Sequence, residues 1–201
     1  MGQINVVGIE YALSDGRVLL SDVSFRVGEG SKVALIGPNG SGKTTLFRMI
    51  AGDITADSGQ IIINGGLGVM RQFIGSIRDE STVRDLLISV SPLRIRQAAQ
   101  KLKDAESEME ANNSERQQMA YAQALADWGD AGGYEQEVLW DIAVNNALAK
   151  SFDRVSDRLV NSLSGGEQKK LVLEVLLSGP EEVLILDEPD NYLDVPAKRW
   201  L

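Results

Sequence analysis

The stretch Gly37–Thr45 reads GPNGSGKTT and fits the phosphate-binding pattern G-x-x-x-x-G-K-S/T. Glycines let the backbone wrap closely round a phosphate, so that successive N–H groups point inward, and a following helix adds the positive end of its dipole. Lys43 can then reach the β- and γ-phosphates, and the Thr44 hydroxyl can join a magnesium shell. The pattern predicts a nucleotide-phosphate site, and a chance glycine turn is the alternative.

The residues on either side of this loop suit the same interpretation. Val33–Ile36 is predicted to be a buried strand that leads into the loop, and Lys43–Ala51 a helix that leaves it. The candidate nucleotide-binding residues of the loop are Gly37, Asn39, Gly40, Ser41, Gly42, Lys43, Thr44 and Thr45.

A second element of such a site is a carboxylate at the end of an apolar strand. Val183–Leu186 reads as a fully buried strand, and Asp187 and Glu188 follow it directly. Asp187 is placed to hold magnesium through water, while Glu188, on the other side of the chain, can orient an attacking water or accept its proton. Taken alone, the pair would more simply be an acidic turn after a core strand.

Composition limits the chemistry. The chain has 201 residues, enough for one domain with an elaboration, and it contains neither cysteine nor histidine. Disulfides, thiol nucleophiles, zinc fingers and Ser-His-Asp triads are therefore excluded. The net charge of −9 argues against a uniformly basic face for nucleic acid. Without a signal peptide or a long apolar run, we expect a cytoplasmic protein with no membrane insertion.

The pattern of the chain changes near Ser81, from strand-rich to helical. The predicted strands are Ile4–Tyr11, Val23–Val27, Lys32–Ile36, Gln60–Ile63 and Leu67–Met70. Apolar spacing predicts a helix around Leu102–Asn112 and a second one over Glu115–Trp128. The two form either an antiparallel hairpin with arms of about 15 residues, roughly 23 Å long, or two core helices of a helical subdomain. Tyr134–Ala149 and Gly166–Leu177 are predicted to be helical as well.

Leu163–Gln168 reads LSGGEQ, and with this third motif the chain resembles the nucleotide-binding domains of ATP-binding-cassette (ABC) ATPases. The resemblance implies that Ser164, Gly165 and Gly166 contact the γ-phosphate of ATP held by a second cassette in a head-to-tail pair. A helix N-terminus is itself an anion site, which agrees with this role. A serine and glycines that merely cap a helix are the alternative.

Three other positions match the family. Tyr11 corresponds to the aromatic residue that stacks on adenine, and Gln72 to the glutamine that senses magnesium and the attacking water. Leu193-Asp194 corresponds to the loop that crosses to the partner cassette. A packing tyrosine and a solvated glutamine are the simpler explanations of the first two.

Leu186–Asp194, LDEPDNYLD, resembles the LDEPTNHLD of the ABC-F class, whose members carry two cassettes and no membrane span. Gly132-Gly133-Tyr134-Glu135 resembles the turn after the helical arm of that class, which favours the hairpin. The implied fold is an α/β P-loop NTPase cassette with a parallel core sheet, an N-terminal antiparallel β subdomain and a helical subdomain with a hairpin arm. Its parts would be residues 1–92, the arm 93–130, and residues 131–201.

The resemblance implies ATP hydrolysis with Mg²⁺, in which Glu188, Lys43 and Gln72 are catalytic and Thr44, Gln72 and Asp187 hold the metal. The expected role is a ribosome-associated translation or antibiotic-resistance factor, with a basic patch for ribosomal RNA at the base of the arm: Arg94, Arg96, Lys101 and Lys103. A solvated helix face is an equal alternative for that patch. The other functions left open are the ATPase subunit of a membrane transporter and a non-catalytic, ATP-gated clamp.

The family also implies a histidine and a central strand that the sequence to Leu201 does not supply. We therefore expect the isolated 201 residues to fold poorly and not to hydrolyse ATP.

Overall fold

The computed structural model describes residues 2–191 of the chain. They divide into two compact units. The first unit contains the residues up to Gln72 together with Pro180–Glu188, and the second contains Phe73–Gly179. Within the described range, no helix combines the length and the apolar character needed to cross a membrane.

The first unit begins with a three-stranded antiparallel sheet in which β1 lies between β2 and β3. Val6 of β1, for example, pairs with Phe25 on one side and Ile61 on the other. The strands are β1 (Gln3–Ala12), β2 (Val18–Val27) and β3 (Ser58–Asn64). The predicted antiparallel β subdomain is confirmed, although its second strand begins at Val18 rather than Val23.

A parallel pair of strands, β4 (Leu67–Met70) and β5 (Val183–Leu186), completes the sheets of this unit. Both strands have the predicted bounds. Val183 and Ile185 are buried, but the alternate residues of β5 are only half-buried, so the prediction of a fully buried strand is wrong. Successive side chains of a strand face opposite sides of the sheet, and the apolar cluster of the unit covers one of them.

Helix α1 (Lys43–Ile50) is held by that cluster. Its buried residues Leu46, Met49 and Ile50 pack with apolar side chains of β1 and with Val183 and Ile185 of β5. The cluster therefore fixes the N-terminus of α1, where the glycine loop ends.

The segment before the glycine loop departs from the sequence prediction. Lys32–Ile36 is not a strand, and the side chains of Val33 and Ile36 are 66% and 90% exposed. A strand forms when its N–H and C=O groups pair with a neighbouring strand. Among residues 2–191, the two sheets consist only of β1–β3 and β4–β5, and neither pairs with this segment.

The second unit is helical. Its helices are α2 (Val83–Val90), α3 (Leu93–Ala111), α4 (Glu115–Asp130), α5 (Gly133–Leu148) and α6 (Gly165–Ser178), with 3₁₀ turns at Phe152–Arg154 and Val160–Ser162. Thr82 caps α2 in a reciprocal capping box with Asp85, and Ser91 ends that helix before Pro92. The helices predicted around Tyr134–Ala149 and Gly166–Leu177 are confirmed within one residue at each end.

Helices α3 and α4 form the antiparallel hairpin. Lys101, in the first half of α3, pairs with Asp127 near the end of α4 at 3.6 Å. The buried residues of both helices lie at the base of the hairpin: Ile95, Ala98, Ala124 and Trp128. Neither helix has a buried residue in the distal part of the hairpin. The two helices therefore form an arm and are not two core helices of a subdomain.

The turn between the arm and α5 requires glycine at two successive positions. Gly132 has a φ of 83°, which L side chains rarely adopt. A Cβ atom on Gly133 would overlap the indole ring of Trp128, which is buried and lies 6.2 Å from the ring of Trp140. The two glycines therefore allow the chain to turn from the arm into α5 while its backbone packs directly against the ring of Trp128.

Replacing Gly133 by alanine should destabilise the helical unit by about 3 kcal/mol, because the methyl group cannot share the space of a buried ring. Gly129→Ala is the matched control, since its Cβ would lie 3.2 Å from Tyr134, an exposed ring that can move. Native-state hydrogen exchange of the α5 amides in the full-length protein measures both changes. Equal protection in the two variants would contradict this account of the turn.

Candidate functional site

The glycine loop ends at Gly42, the N-cap of α1, in the left-handed conformation with φ 91°. A Cβ atom at this position would lie 2.9 Å from Cδ2 of Leu20. Gly40 also has positive φ, 79°. These glycines therefore allow the path by which the backbone reaches the helix N-terminus, as the motif predicts.

Lys43, the first residue of α1, folds back on the loop. Its Nζ donates to the carbonyl oxygens of Gly37 and Pro38, both at 2.9 Å. An ammonium group has three N–H donors, so a further donor is available to an anion. The first turn of α1 contains no acidic residue that would compete for the helix N-terminus, and Thr44 and Thr45 lie half-buried in that turn. The arrangement suits a phosphate group.

Tyr11 lies on β1, beside the strand whose residues Leu19 and Leu20 approach Gly42. Its partner across the two strands is Leu20, which comes nearest to a Cβ atom placed on Gly42. The tyrosine is half-buried, so part of its ring is accessible. The structure thus places the predicted adenine-stacking residue on the strand beside the end of the loop.

Asp187 and Gln72 follow the two parallel strands at their carboxyl ends. Asp187 is 6% exposed, and its N–H donates to the carbonyl oxygen of Met70 at 3.0 Å. Gln72 comes shortly after β4 and is exposed. Because strands β4 and β5 are parallel, both residues belong to the same edge of the sheet.

The predicted donors for a metal are a hydroxyl on Thr44, a carboxylate on Asp187 and an amide on Gln72. These hard oxygen donors fit Mg²⁺, which is usually bound through one or two carboxylates together with substrate phosphates and water.

Glu188 has a φ of 51°, an uncommon conformation for a residue with a side chain. The sequence predicts that its carboxylate lies on the other side of the chain from that of Asp187, but β5 ends at Leu186, before either residue. A left-handed turn, rather than the pleat of a strand, therefore sets its direction. Backbone strain of this kind is concentrated at functional sites.

In the second unit, the signature Ser164 is the N-cap of α6. Its Oγ accepts a hydrogen bond from the N–H of Glu167 at 3.3 Å, and its own N–H donates to Glu167 Oε2 at 2.7 Å. Hydrogen bonds to the Glu167 carboxylate, from the backbone N–H of Ser164 first and from its side chain second, hold the pKa of this carboxyl below its usual value. Gly165 and Gly166 open the helix, so their N–H groups lie at its positive end. Helix capping by Ser164 is therefore observed, and the Glu167 carboxylate lies in the same first turn of the helix.

One polar pair near the site was not found from the sequence. The guanidinium of Arg71, the residue before Gln72, makes two bonds to the carboxylate of Asp53, which follows α1. Asp53 and Arg71 carry opposite charges, but they are separated by β3 and β4, and no sequence spacing identifies such a pair. It ties the end of the P-loop helix to the end of β4.

The predicted basic patch at the base of the arm is partly neutralised. Lys101 pairs with Asp127, and Lys103 pairs with Asp85 at 3.3 Å. Arg94 and Arg96 are exposed on α3. The predicted crossing loop at Leu193-Asp194 lies outside the described residues.

Comparison with known proteins agrees with this geometry. The family model described as ABC transporter matches residues 20–191. The whole chain is 61% identical to an antibiotic resistance protein of Mycobacteroides abscessus, over 36% of that protein. It is 35% identical over 192 residues to the tylosin resistance ATP-binding protein TlrC of Streptomyces fradiae, covering 34% of it. The chain thus spans about a third of the length of these relatives.

A further relative and a solved structure are also similar to this chain. The ATP-binding protein Uup of Escherichia coli is 33% identical over 189 residues, which cover 93% of this chain and 24% of Uup. A solved structure described as a metal-chelate type ABC transporter in an inward-facing conformation covers 99% of the chain, at a TM-score of 0.60 and 18% identity, and shares its fold. From the match over residues 20–191, the chain belongs to the ABC transporter family, as an ATPase domain whose relatives include Uup-type ABC-F proteins.

Proposed function

We propose that this chain is one ATP-hydrolysing cassette of a cytoplasmic ABC-F protein that acts on the ribosome as a translation or antibiotic-protection factor. The observation that carries the ATP-binding part is the loop of glycines closed by Lys43 at the N-terminus of α1. The identity of 61% with a protein named for antibiotic resistance supports the biological part.

The proposed reaction is in-line attack of water on the γ-phosphate of ATP, which gives ADP and phosphate. Lys43 and the N–H groups of the loop bind the phosphates, and Tyr11 stacks on the adenine. Glu188 accepts the proton of the attacking water. Bound Mg²⁺, held by Thr44, Asp187 and Gln72, would neutralise charge on the phosphates.

A second cassette completes each site in this proposal. Ser164, Gly165 and Gly166 at the start of α6 contact the γ-phosphate of ATP held by the partner, and the signature of the partner does the same here. ATP thus lies between two cassettes in head-to-tail arrangement. The exposed Arg94 and Arg96 remain the side chains of the arm base that suit ribosomal RNA, because Lys101 and Lys103 already face carboxylates.

The experiment that tests the function is ATP turnover by the full-length protein, measured alone, with purified ribosomes and with membrane vesicles. We expect turnover that ribosomes alter and vesicles do not. Turnover that responds only to vesicles would instead support a transporter subunit. ATP binding without turnover in every condition would support a non-catalytic clamp.

Two substitutions of Ser164 separate helix capping from phosphate binding. Ser164→Asp keeps a good N-cap but places a negative charge where phosphate should bind, whereas Ser164→Ala removes the cap at a cost of about 1 kcal/mol. We expect Ser164→Asp to preserve exchange protection of α6 and to lower ATPase activity at least tenfold. If it hydrolyses ATP like the unchanged protein, the serine acts only as a cap.

The 201-residue chain by itself should show no cooperative melt and no steady ATP turnover. The unpaired segment before the glycine loop, with Val33 and Ile36 exposed, supports this expectation. Calorimetry and a phosphate-release assay on the chain test it. A cooperative transition together with sustained turnover would refute it.

A further inference from the structure

Next to the signature serine lies a glutamine that is wholly buried. Gln168, in the first turns of α6, is 0% exposed. Its Nε2 donates to the carbonyl oxygens of Val160 at 3.1 Å and Leu163 at 3.3 Å, the first residue of the 3₁₀ turn that leads into the signature and the residue that follows the turn. One side chain therefore fixes the backbone by which the chain enters the loop of Ser164.

The same amide also holds a distant segment. Its Oε1 accepts from the N–H of Ile77 at 3.2 Å, and its Nε2 approaches the carbonyl oxygen of Ile77 at 3.4 Å. Glutamine supplies both a donor and an acceptor, which a carboxylate or an apolar side chain cannot do. The buried backbone groups that it satisfies would otherwise lose their hydrogen bonds, which is unfavourable.

Ile77 ends a short, ordered segment that starts after Gln72. Ser76 donates to the carbonyl oxygen of Phe73 from both its N–H, at 3.0 Å, and its Oγ, at 2.8 Å. The turn therefore has its own hydrogen bonds, and Gln168 anchors it at the residue that follows. Asn161, in the 3₁₀ turn, adds a bond from its side-chain nitrogen to the carbonyl oxygen of Asp79 at 3.0 Å.

We propose that Gln168 is a positioning residue that couples the entry of the signature loop to the segment that ends at Ile77. This inference rests on the proposed function, in which the signature loop contributes to the ATP site of the partner cassette. A displacement of the Ile77 backbone would move the amide of Gln168, and with it the backbone at Val160 and Leu163 that leads to Ser164. Catalysis depends on such placement, since a displacement of about 1 Å can lower a rate by about 100-fold.

Gln168→Glu in the full-length protein tests this coupling. The carboxylate has nearly the same shape but no N–H to donate, so it faces the carbonyl oxygens of Val160, Leu163 and Ile77 without a bond. We expect kcat to fall about 10- to 100-fold, while the Kd of the P-loop for a fluorescent ATP analogue changes less than threefold. Gln168→Leu, which introduces no buried charge, should show the same separation of kcat from Kd.

Gln136→Glu is the matched control, because Gln136 is also a buried glutamine of the helical unit, 5% exposed, on α5. Melting curves of all variants give the folded fraction. For the Gln168 variants, we expect kcat to fall by more than the loss of folded protein explains. For Gln136→Glu, we expect the fall in kcat to equal the loss of folded protein. Equal falls in proportion to folded protein would overturn the proposal.

Hydrogen exchange separates failure of this proposal from failure of the proposed function. In Gln168→Glu, exchange should rise together in the peptides around Ile77 and around 160–166 and stay unchanged in α3 and α4. This readout needs no turnover, so it holds even if the unchanged protein does not hydrolyse ATP. A rise confined to one of the two segments would contradict the coupling.

Discussion

Lys43→Ala in the full-length protein should lower kcat/KM for ATP hydrolysis by about 1,000-fold, because an ammonium group at the phosphates stabilises the charge that develops in the transition state. In the structure, Nζ of Lys43 lies inside the glycine loop and donates to two of its carbonyl oxygens. No other basic residue is present between Gly37 and Leu46 to take its place.

Lys32→Ala is the control for this variant. It removes the same charge from an exposed position just before the loop, and we expect its kcat/KM to stay within threefold. Phosphate release measured over a range of ATP concentrations gives both values. If Lys43→Ala retained more than a tenth of the activity, the glycine loop would not be the phosphate site.

Glu188→Gln should lower kcat by about 100- to 10,000-fold and leave ATP bound. An amide has the shape of the carboxylate, so the left-handed turn at Glu188 can persist, but it cannot accept a proton from water. The matched control is Asp190→Asn, the same change of charge two positions later in an exposed residue. Rapid filtration with labelled ATP measures retention, and single-turnover kinetics measure cleavage.

Two outcomes are informative for Glu188→Gln. Retention of uncleaved ATP with slow cleavage supports the role of the carboxylate as the base. Cleavage at the normal rate would show that water is activated by another group and would leave the positive φ at Glu188 without a catalytic explanation.

Most helices and strands could be predicted because their apolar residues, which are visible in the sequence, are also the residues that make tertiary contacts. The strands at Leu67–Met70 and Val183–Leu186 are short apolar runs with the predicted bounds, and the structure pairs them in parallel. Val33–Ile36 has the same kind of pattern and is not a strand. The difference lies in the pairing partner, which the composition of a segment does not contain.

The candidate site was predicted residue by residue where a motif carries it, and not where the contact is between distant segments. The spacing of Gly37, Gly42 and Lys43 is sufficient to predict a phosphate loop. The bonds of Gln168 to Ile77 join residues 91 positions apart, and the bidentate pair of Arg71 with Asp53 joins residues 18 apart, so neither follows from spacing. The left-handed backbone at Glu188 is likewise set by its surroundings, since glutamate has no preference for it.

The charges at the base of the arm likewise depend on contacts between distant segments. Four basic residues near the start of α3 suggested a patch for RNA, but Asp85 and Asp127 come from other helices and face two of them. The positions of charged residues along the sequence predict the electrostatic potential of a surface only when the partner of each side chain is known.

The most direct test of the central claim is co-sedimentation of the full-length Glu188→Gln protein with ribosomes. A cassette that binds ATP, closes on its partner and acts on the ribosome should pellet with ribosomes in ATP and not in ADP. Lys43→Ala combined with Glu188→Gln, which should not bind ATP, should stay in the supernatant in both nucleotides. Equal pelleting of Glu188→Gln in ATP and ADP, or none in either, would contradict the account.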